Sequence, residues 1–210
     1  MALQNRVTPF SEIVAVAARG TMMGNRGIIH DATTKQLLSR RWQHQAWICC
    51  VLAFKGYQHP IMGEGRYTEL FFLDEVTAFA AGHRPCAYCR RADFNAFKHA
   101  WAAGQGIAPT DVRAPMMDRR LHRERTTPNR LQITYTAKLD ELPDGTFVRL
   151  DDQPWLVQGS CLLRWSSRCY ETARERSLGT TVEVLTPRSI VAAFAHGYRA
   201  RVHASAAQLS

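Results

Sequence analysis

The sequence predicts an α+β protein, with a short sheet and flanking helices in its first half and a small antiparallel β meander in its second half. In the first half, apolar runs typical of buried strands alternate with helical periodicity up to about residue 104. In the second half, short β-type runs are separated by turn residues at the close spacing of a meander. The chain of 210 residues can build one sizeable core or two small ones, so its size alone requires no metal or disulfide.

Two strands and a helix are indicated in the middle of the first half. Residues 47–54 are continuously apolar and rich in aromatic and β-branched types, and residues 67–73 follow after a glycine-rich connection and are rich in aromatic residues and leucine. We expect both to be strands. Asp74 is a suitable N-cap for a helix that ends at Gly82.

A second helix is expected from about Asp93 to Gly104. Phe94, Phe97 and Trp101 recur at i, i+3 and i+7, which places their rings on one face. We expect this face to belong to the core. The alternative is a platform on which unpaired bases stack, given the neighbouring arginines.

The sequence as a whole predicts three parts in chain order. Residues 1–104 form an α+β domain, residues 105–130 a largely irregular basic linker with one helical turn around residues 118–125, and residues 131–210 an antiparallel β module with a C-terminal helix. The elements expected in this module are strands at residues 146–150, 155–158, 161–165 and 181–185 and a helix at residues 189–196.

The formal charge of +9 is unevenly distributed. Between residues 84 and 130, ten basic residues stand against four acidic ones, and nine of the ten are arginines. The planar guanidinium group suits bidentate contact with phosphate or base edges, so this segment favours a nucleic-acid partner, DNA rather than RNA. The alternative is a solvated basic face.

No segment near the N-terminus indicates a membrane or a secretion signal. The longest apolar run there, residues 13–18, is far too short to span a bilayer and lacks a signal-peptide layout. We therefore expect a cytoplasmic protein with no membrane partner. Its six cysteines are then expected to be thiols or metal ligands, not disulfides.

Cys86 and Cys89 form a Cys-x-x-Cys motif that follows Pro85 and lies between the two expected helices. Two thiolates at this spacing can reach one tetrahedral ion, as in a zinc knuckle. We expect zinc as the cofactor. A knuckle supplies two of four ligands, so the others must come from elsewhere in the chain.

The stretch Phe72-Leu-Asp-Glu-Val-Thr-Ala-Phe-Ala-Ala-Gly-His-Arg-Pro-Cys-Ala-Tyr-Cys89 resembles the second half of the zinc-binding domain of the Ada DNA-repair regulators. The resemblance is local, around residues 70–93. It implies an Ada-like zinc subdomain with Cys86 and Cys89 as its second ligand pair, and a role in DNA repair or modification. In that family a Cys-x-x-x-Cys pair on the preceding strand completes the site, and one of its cysteines accepts a methyl group from a DNA phosphotriester.

The first pair of this chain departs from the family pattern. Cys49 and Cys50 are adjacent on an expected strand, so their side chains must point to opposite faces and only one can easily bind the metal. We favour Cys50, with Cys49 in the core, and do not expect methyl-acceptor chemistry. Neutral imidazole is a common zinc ligand, so a histidine can complete a largely structural site. The candidates are His30, which we favour, His59 and His83.

Five residues are expected to contact nucleic acid. Arg84, Arg90 and Arg91 flank the knuckle, where a metal turn would hold them in place. Asn25 and Arg26 belong to a glycine-rich stretch, residues 19–27, which predicts an exposed loop that enters a short strand at residues 28–30.

Two other functions remain open. A metal-dependent hydrolase or nuclease could use Asn25, Arg26, His30 and Asp31 together with His44, where a histidine activates water beside a divalent ion. Alternatively, the chain is a zinc-stabilised protein-interaction module whose positive charge serves only solubility.

Overall fold

The computed structural model describes residues 2–56 and 60–209, and within them the chain forms two six-stranded sheets and four α-helices. The predicted α+β class, with an antiparallel meander in the second half, is confirmed. The strands of the first sheet are β1 (Gln4–Val7), β2 (Ile13–Ala15), β3 (Met22–Asn25), β4 (Ile48–Cys50), β5 (Leu70–Phe72) and β6 (Arg84–Pro85). The helices are α1 (Glu75–Ala80), α2 (Arg91–Gly104), α3 (Ala114–Arg125) and α4 (Arg188–Ala195). The strands of the second sheet are β7 (Tyr135–Lys138), β8 (Phe147–Leu150), β9 (Gln153–Gln158), β10 (Cys161–Trp165), β11 (Tyr170–Glu175) and β12 (Thr181–Val184).

The first sheet is mixed, with strand order β2-β1-β5-β3-β4-β6. Strands β1 and β5 are parallel, as are β4 and β6, and the other neighbours are antiparallel. Met23 is paired with both Cys50 and Phe71 in register, so these three side chains share one face. The opposite face carries Cys49 and Phe72, which are buried in the core beneath the sheet.

Helix α1 lies at the centre of the molecule, and all six of its residues are buried. Ala78 packs under the first sheet, Phe79 against helices α2 and α4, and Val76 against the second sheet. The predicted N-cap is confirmed, because the side chain of Asp74 accepts a hydrogen bond of 3.0 Å from the backbone N–H of Thr77. One short helix therefore joins the cores of both halves.

The second sheet is antiparallel throughout, with strand order β11-β10-β9-β8-β12-β7. Phe147, Leu156 and Leu163 on its inner face pack against Val76 and Ala80 of α1. The outer strand β11 is exposed apart from Tyr170 and carries three charged side chains, which suits an edge strand.

The predicted helix that ends at Gly104 is confirmed as α2. Phe94, Phe97 and Trp101 are buried together with residues of α3 and α4. Their stripe belongs to the core, as expected, and is not available for stacking with bases. No helix within residues 2–56 and 60–209 is both long and apolar enough to cross a bilayer.

Three local predictions are wrong or too long. No strand forms at residues 28–30, and the strand of this region is β3, inside the stretch expected to be a loop. Position 24 of β3 requires a glycine, because a Cβ there would lie 2.1 Å from the carbonyl oxygen of Ile48. The strand expected at residues 47–54 ends at Cys50, since its neighbours β3 and β6 are short.

The segment expected to be an irregular linker, residues 105–130, contains the twelve-residue helix α3. Pro115 lies in the first turn of this helix, where its fixed φ is favourable. Met117 and Leu121 lie one turn apart and are fully buried against α2 and α4. Helix α3 therefore packs into the core.

Candidate metal centre

The Cys-x-x-Cys segment is held against β4 by backbone hydrogen bonds. The N–H of Cys86 donates to the carbonyl of Cys49 at 2.9 Å, which continues the parallel pairing of β4 and β6. The N–H of Arg90 donates to the carbonyl of Cys86 at 3.1 Å and closes the turn into α2. The motif therefore lies directly beside the strand that carries Cys50.

The sulfur atoms of Cys50, Cys86 and Cys89 all lie within 4.8 Å of one another. For Zn–S bonds of about 2.3 Å, a tetrahedral site requires sulfurs roughly 3.8 Å apart, so sulfurs within 4.8 Å of one another are close enough to bind one ion after small shifts. In the part of the chain that the structure describes, this is the only such group of three or more histidine, cysteine or acidic side chains.

The three thiols change one another's pKa values. The pKa of Cys86 is lowered to about 5, mainly because the Cys50 thiol donates a hydrogen bond to it, and the backbone N–H groups of Cys89 and Tyr88 add to the effect. The Tyr88 N–H lies 3.4 Å from the Cys86 sulfur. The pKa of Cys89 is also lowered, first by the Cys50 thiol, whereas these same contacts raise the pKa of Cys50. The Cys50 thiol thus lowers the pKa values of both motif thiols, which favours their thiolate forms.

Cys49 points away from this cluster, as alternation along a strand requires. It is buried in the core beneath the sheet, and burial raises the pKa of its thiol. The guanidinium of Arg90 donates to its sulfur at 3.6 Å. Of the two adjacent cysteines, the structure places only Cys50 with the motif pair.

None of the histidines in the described residues joins the thiols. His30 is buried and its Nδ1 lies 2.6 Å from the hydroxyl of Thr68. His83 is also buried, with Nδ1 3.2 Å from the carbonyl of Ala78, and burial holds its pKa well below the usual value. His59 lies outside the described residues. The expectation that His30 is the fourth ligand is therefore wrong for this geometry.

Arg84 and Arg90 do not face solvent, contrary to the expectation that they contact nucleic acid. Arg84 makes a bidentate ion pair with Asp118 at 2.7 and 2.8 Å. Arg90 bridges Glu75 at 2.6 Å and Asp93 at 2.7 Å. Asp118 belongs to α3 and Glu75 to α1, so the two arginines tie the Cys-x-x-Cys turn to both helices.

The other three expected contact residues lie in different surroundings. Arg91 is exposed at the start of α2. Asn25 is buried, and its side-chain oxygen accepts a hydrogen bond of 3.2 Å from the N–H of Gly27. Arg26 is buried on the opposite side of the sheet from Asn25 and lines a separate cavity.

The residues of the alternative nuclease centre do not converge. An oxygen of Asp31 accepts hydrogen bonds from the N–H groups of Thr33 and Thr34, as in an Asx turn. His44 is exposed, whereas His30 is buried against Thr68. The predicted loop chemistry has no support in this arrangement.

A cavity of about 750 Å³ opens beside the three thiols on the outer face of the first sheet. Its lining is mostly apolar and includes Leu52, Phe54, Ile61, Tyr67 and Tyr88 together with all three cysteines. Sequence reasoning missed this surface, although an apolar run that continues beyond the end of β4 was a usable signal. Large apolar side chains that stay exposed beside a site commonly mark a binding surface.

No protein-family model, curated protein or solved structure matches the chain. The site is therefore defined by its own geometry, as a three-thiol cluster at the edge of an apolar cavity.

Proposed function

We propose that this chain is a zinc protein that binds nucleic acid, with zinc held by Cys50, Cys86 and Cys89. The observation that carries the proposal is the convergence of three sulfurs within 4.8 Å from two separate segments of the chain. The local resemblance of residues 70–93 to the Ada zinc domain supports the pair Cys86 and Cys89. Methyl-acceptor activity is not part of the proposal, since Cys49 and Cys50 do not act as a pair.

The donor set fits zinc. Thiolates are its usual structural ligands, and the lowered pKa values of Cys86 and Cys89 favour the charged form that binds a metal. When bound, zinc would replace the Cys50 proton and tie β4 to the turn before α2. A cytoplasmic location, where thiols stay reduced, is part of the same proposal.

The surface next to the thiols supports a nucleic-acid partner. Tyr88 is 59% exposed, and its ring lies edge-on to Phe54 with centroids 5.1 Å apart. The ammonium group of Lys55 lies 5.3 Å from the Tyr88 ring and 5.4 Å from the Phe54 ring. Exposed rings with an adjacent cation are suited to stack with unpaired bases and contact their phosphates. The charge of +9 supports the same partner.

The proposal is tested by fluorescence anisotropy of zinc-loaded protein with single- and double-stranded DNA and RNA oligonucleotides at rising salt. We expect a complex that is preferentially single-stranded and weakens as salt increases. Tyr88→Ala should weaken it about tenfold, because stacking on one ring contributes roughly 1–3 kcal/mol. Leu178→Ala, at a residue that is 84% exposed on another loop, is the matched control.

Absence of any complex at low salt would contradict the nucleic-acid function. If zinc were still bound in that case, the result would favour a zinc-stabilised protein-interaction module. Equal effects of Tyr88→Ala and Leu178→Ala would contradict the assignment of the surface, because only Tyr88 lies beside the thiols.

A second candidate function, a metal-dependent hydrolase, is favoured by the number of ligands. The described residues supply three thiols, and these line a cavity large enough for a small ligand. Catalytic zinc sites keep one position open for water, whereas structural sites are closed by four protein ligands. Cobalt substitution separates the two: added azide or cyanide should shift the visible spectrum of an open site and leave that of a closed site unchanged.

A further inference from the structure

A second cavity, of about 840 Å³, lies between the edge of the first sheet, the end of α3 and the second sheet. Five arginines line it against three acidic residues. The arginines are Arg26, Arg41, Arg125, Arg130 and Arg149, and the acids are Glu12, Asp152 and Glu183. Glu183 is already engaged, by Arg149 at 3.3 Å and by the hydroxyl of Thr134 at 2.6 Å. The cavity therefore carries an excess of positive charge.

Arg26 is 2% exposed, and no ion pair with a carboxylate is found for it among the described residues. Its Nε donates to Nε2 of His83 at 3.3 Å, and its Nη2 donates to the hydroxyl of Ser11 at 2.9 Å. Nδ1 of His83 faces the carbonyl of Ala78, so the ring is a neutral acceptor. Burial, followed by the charge of Arg41, lowers the pKa of Arg26 to about 9.

Arg125 at the end of α3 is 1% exposed and lacks a carboxylate partner within the described ranges. Its two terminal nitrogens donate to the carbonyls of Gly82 and Gln45, both at 2.7 Å. Its Nε is buried without a hydrogen-bond partner. Asp118 acts on it only at longer range and is already paired with Arg84. Burial, with the charge of Arg26, holds the pKa of Arg125 well below its usual value.

Both guanidinium groups lie against the ring of Trp47. Their central carbons are 3.9 Å (Arg26) and 3.8 Å (Arg125) from its centroid. Cation–π contacts of this kind offset only part of the free energy that burying an ion requires. Two buried guanidinium groups therefore pack against the same indole ring in the lining of the cavity, and neither has a carboxylate partner within residues 2–56 and 60–209.

The backbone is shaped to admit one of these groups. Gly82 has a φ of +79°, and a Cβ at this position would lie 2.4 Å from the side chain of Arg125. A glycine here serves both the left-handed backbone and the space that Arg125 occupies. The burial of Arg125 thus requires a glycine at position 82.

We propose that this cavity binds the phosphate group of a nucleotide, either free or at the end of a nucleic-acid strand, with Arg26 and Arg125 as its ligands. Phosphate oxygens accept from planar guanidinium groups in bidentate geometry and supply the missing negative charge. Arg41 adds charge at the mouth, and Trp42, whose ring lies 5.9 Å from that of Trp47, gives the base an aromatic surface. The choice of a nucleotide rests on the proposed nucleic-acid function, whereas the anion site does not.

The test is calorimetric titration of the zinc-loaded protein with inorganic phosphate, adenosine 5′-monophosphate and adenosine. One DNA sequence is added in two forms, with and without a 5′-phosphate. We expect the monophosphate to bind and adenosine not to bind. Tighter binding of the strand with the 5′-phosphate would assign the site to the end of a strand. Equal binding of the two strands, together with binding of the monophosphate, would assign it to a free nucleotide.

Two variants and a control complete the test. Arg41→Glu, at an exposed side chain, should weaken binding of the monophosphate at least tenfold without affecting folding. Arg26→Met should abolish binding while the thermal midpoint stays equal or rises, because it removes a buried unpaired charge. Arg19→Glu makes the same charge change as Arg41→Glu at an exposed position outside the cavity and should have no effect.

The inference is overturned if no phosphate-bearing probe binds folded protein, or if Arg41→Glu and Arg19→Glu weaken binding equally. Binding of unphosphorylated strands without binding of any free phosphate or nucleotide would leave the proposed function standing and refute the phosphate site. Binding of the monophosphate without binding of any strand would support the phosphate site and contradict the proposed nucleic-acid function.

Discussion

Arg84 donates two hydrogen bonds to the carboxylate of Asp118, from Nε to Oδ1 at 2.7 Å and from Nη2 to Oδ2 at 2.8 Å. Both side chains are buried, and the pair joins β6 to α3. Because Cys86 follows Arg84 by two residues, this ion pair also fixes the start of the Cys-x-x-Cys turn.

Asp118→Ala is expected to destabilise the protein by about 3–5 kcal/mol, because it leaves the Arg84 guanidinium buried without a counter-ion. Urea unfolding measures the change. Glu171→Ala, which breaks the exposed pair with Arg164, is the control and should cost less than about 1 kcal/mol. Equal losses in the two variants would contradict the role of the buried pair.

Phe97→Ala should separate the core from the binding surface. Phe97 is 0% exposed in the cluster that joins α1, α2 and α4, so the truncation should cost about 3–5 kcal/mol in unfolding free energy. Below its unfolding transition, the variant should still bind oligonucleotides normally. Tyr88→Ala should show the opposite pattern, with weak binding and nearly unchanged stability. A selective loss of binding in Phe97→Ala would restore the stacking interpretation of α2.

The alkaline stability of the protein should depend on Tyr135. Burial raises the pKa of Tyr135 to about 12, above the roughly 10 of an unfolded chain. The unfolded state therefore loses its phenol proton first, so this contribution is complete below about pH 10 and falls as the pH rises toward 12. At pH 11 the wild type should have lost about 1 kcal/mol that Tyr135→Phe retains. Urea unfolding at pH 8 and pH 11 measures this, and identical pH dependence in both proteins would contradict it.

Local signals in the sequence predicted the elements whose determinants are themselves local. Asp74 caps α1 because its side chain reaches a backbone N–H three residues away. Phe94, Phe97 and Trp101 define the buried face of α2 through their spacing alone. Strand β3 was missed because Gly24 is typical of a loop, although the close approach of Ile48 requires it. That approach involves a segment more than twenty residues away.

The sequence could not distinguish structural arginines from binding ones. Arg84 pairs with Asp118, which lies 34 residues away in the sequence. Arg125 donates to the carbonyl of Gln45, which lies 80 residues away. Helix α3 was obscured for the same reason, because its buried face includes Asp118 and Arg125 beside Met117. The hydrophobic periodicity of a sequence does not show that a polar residue is buried by a distant partner. The density of positive charge therefore led to the wrong prediction that Arg84 and Arg90 contact nucleic acid.

Alternation along a strand predicted that only one of Cys49 and Cys50 can join the motif pair, but it did not decide which one, and the fourth ligand could not be inferred. His30 was favoured from its position at the end of a loop, but the turn at Asp31 and the hydroxyl of Thr68 hold it elsewhere. The phosphate cavity was invisible in the sequence, because Arg26, Trp47 and Arg125 converge only after both halves have packed.

The most direct test of the account is the zinc content of Cys50→Ala compared with Cys49→Ala after reconstitution under reducing conditions. The two variants alter neighbouring residues on one strand, but only Cys50 lies with Cys86 and Cys89. We expect one zinc ion per chain in the wild type and in Cys49→Ala, and loss of zinc in Cys50→Ala. A wild-type protein that binds no zinc, or a Cys50→Ala variant that binds it as tightly as Cys49→Ala, would contradict the proposed metal centre.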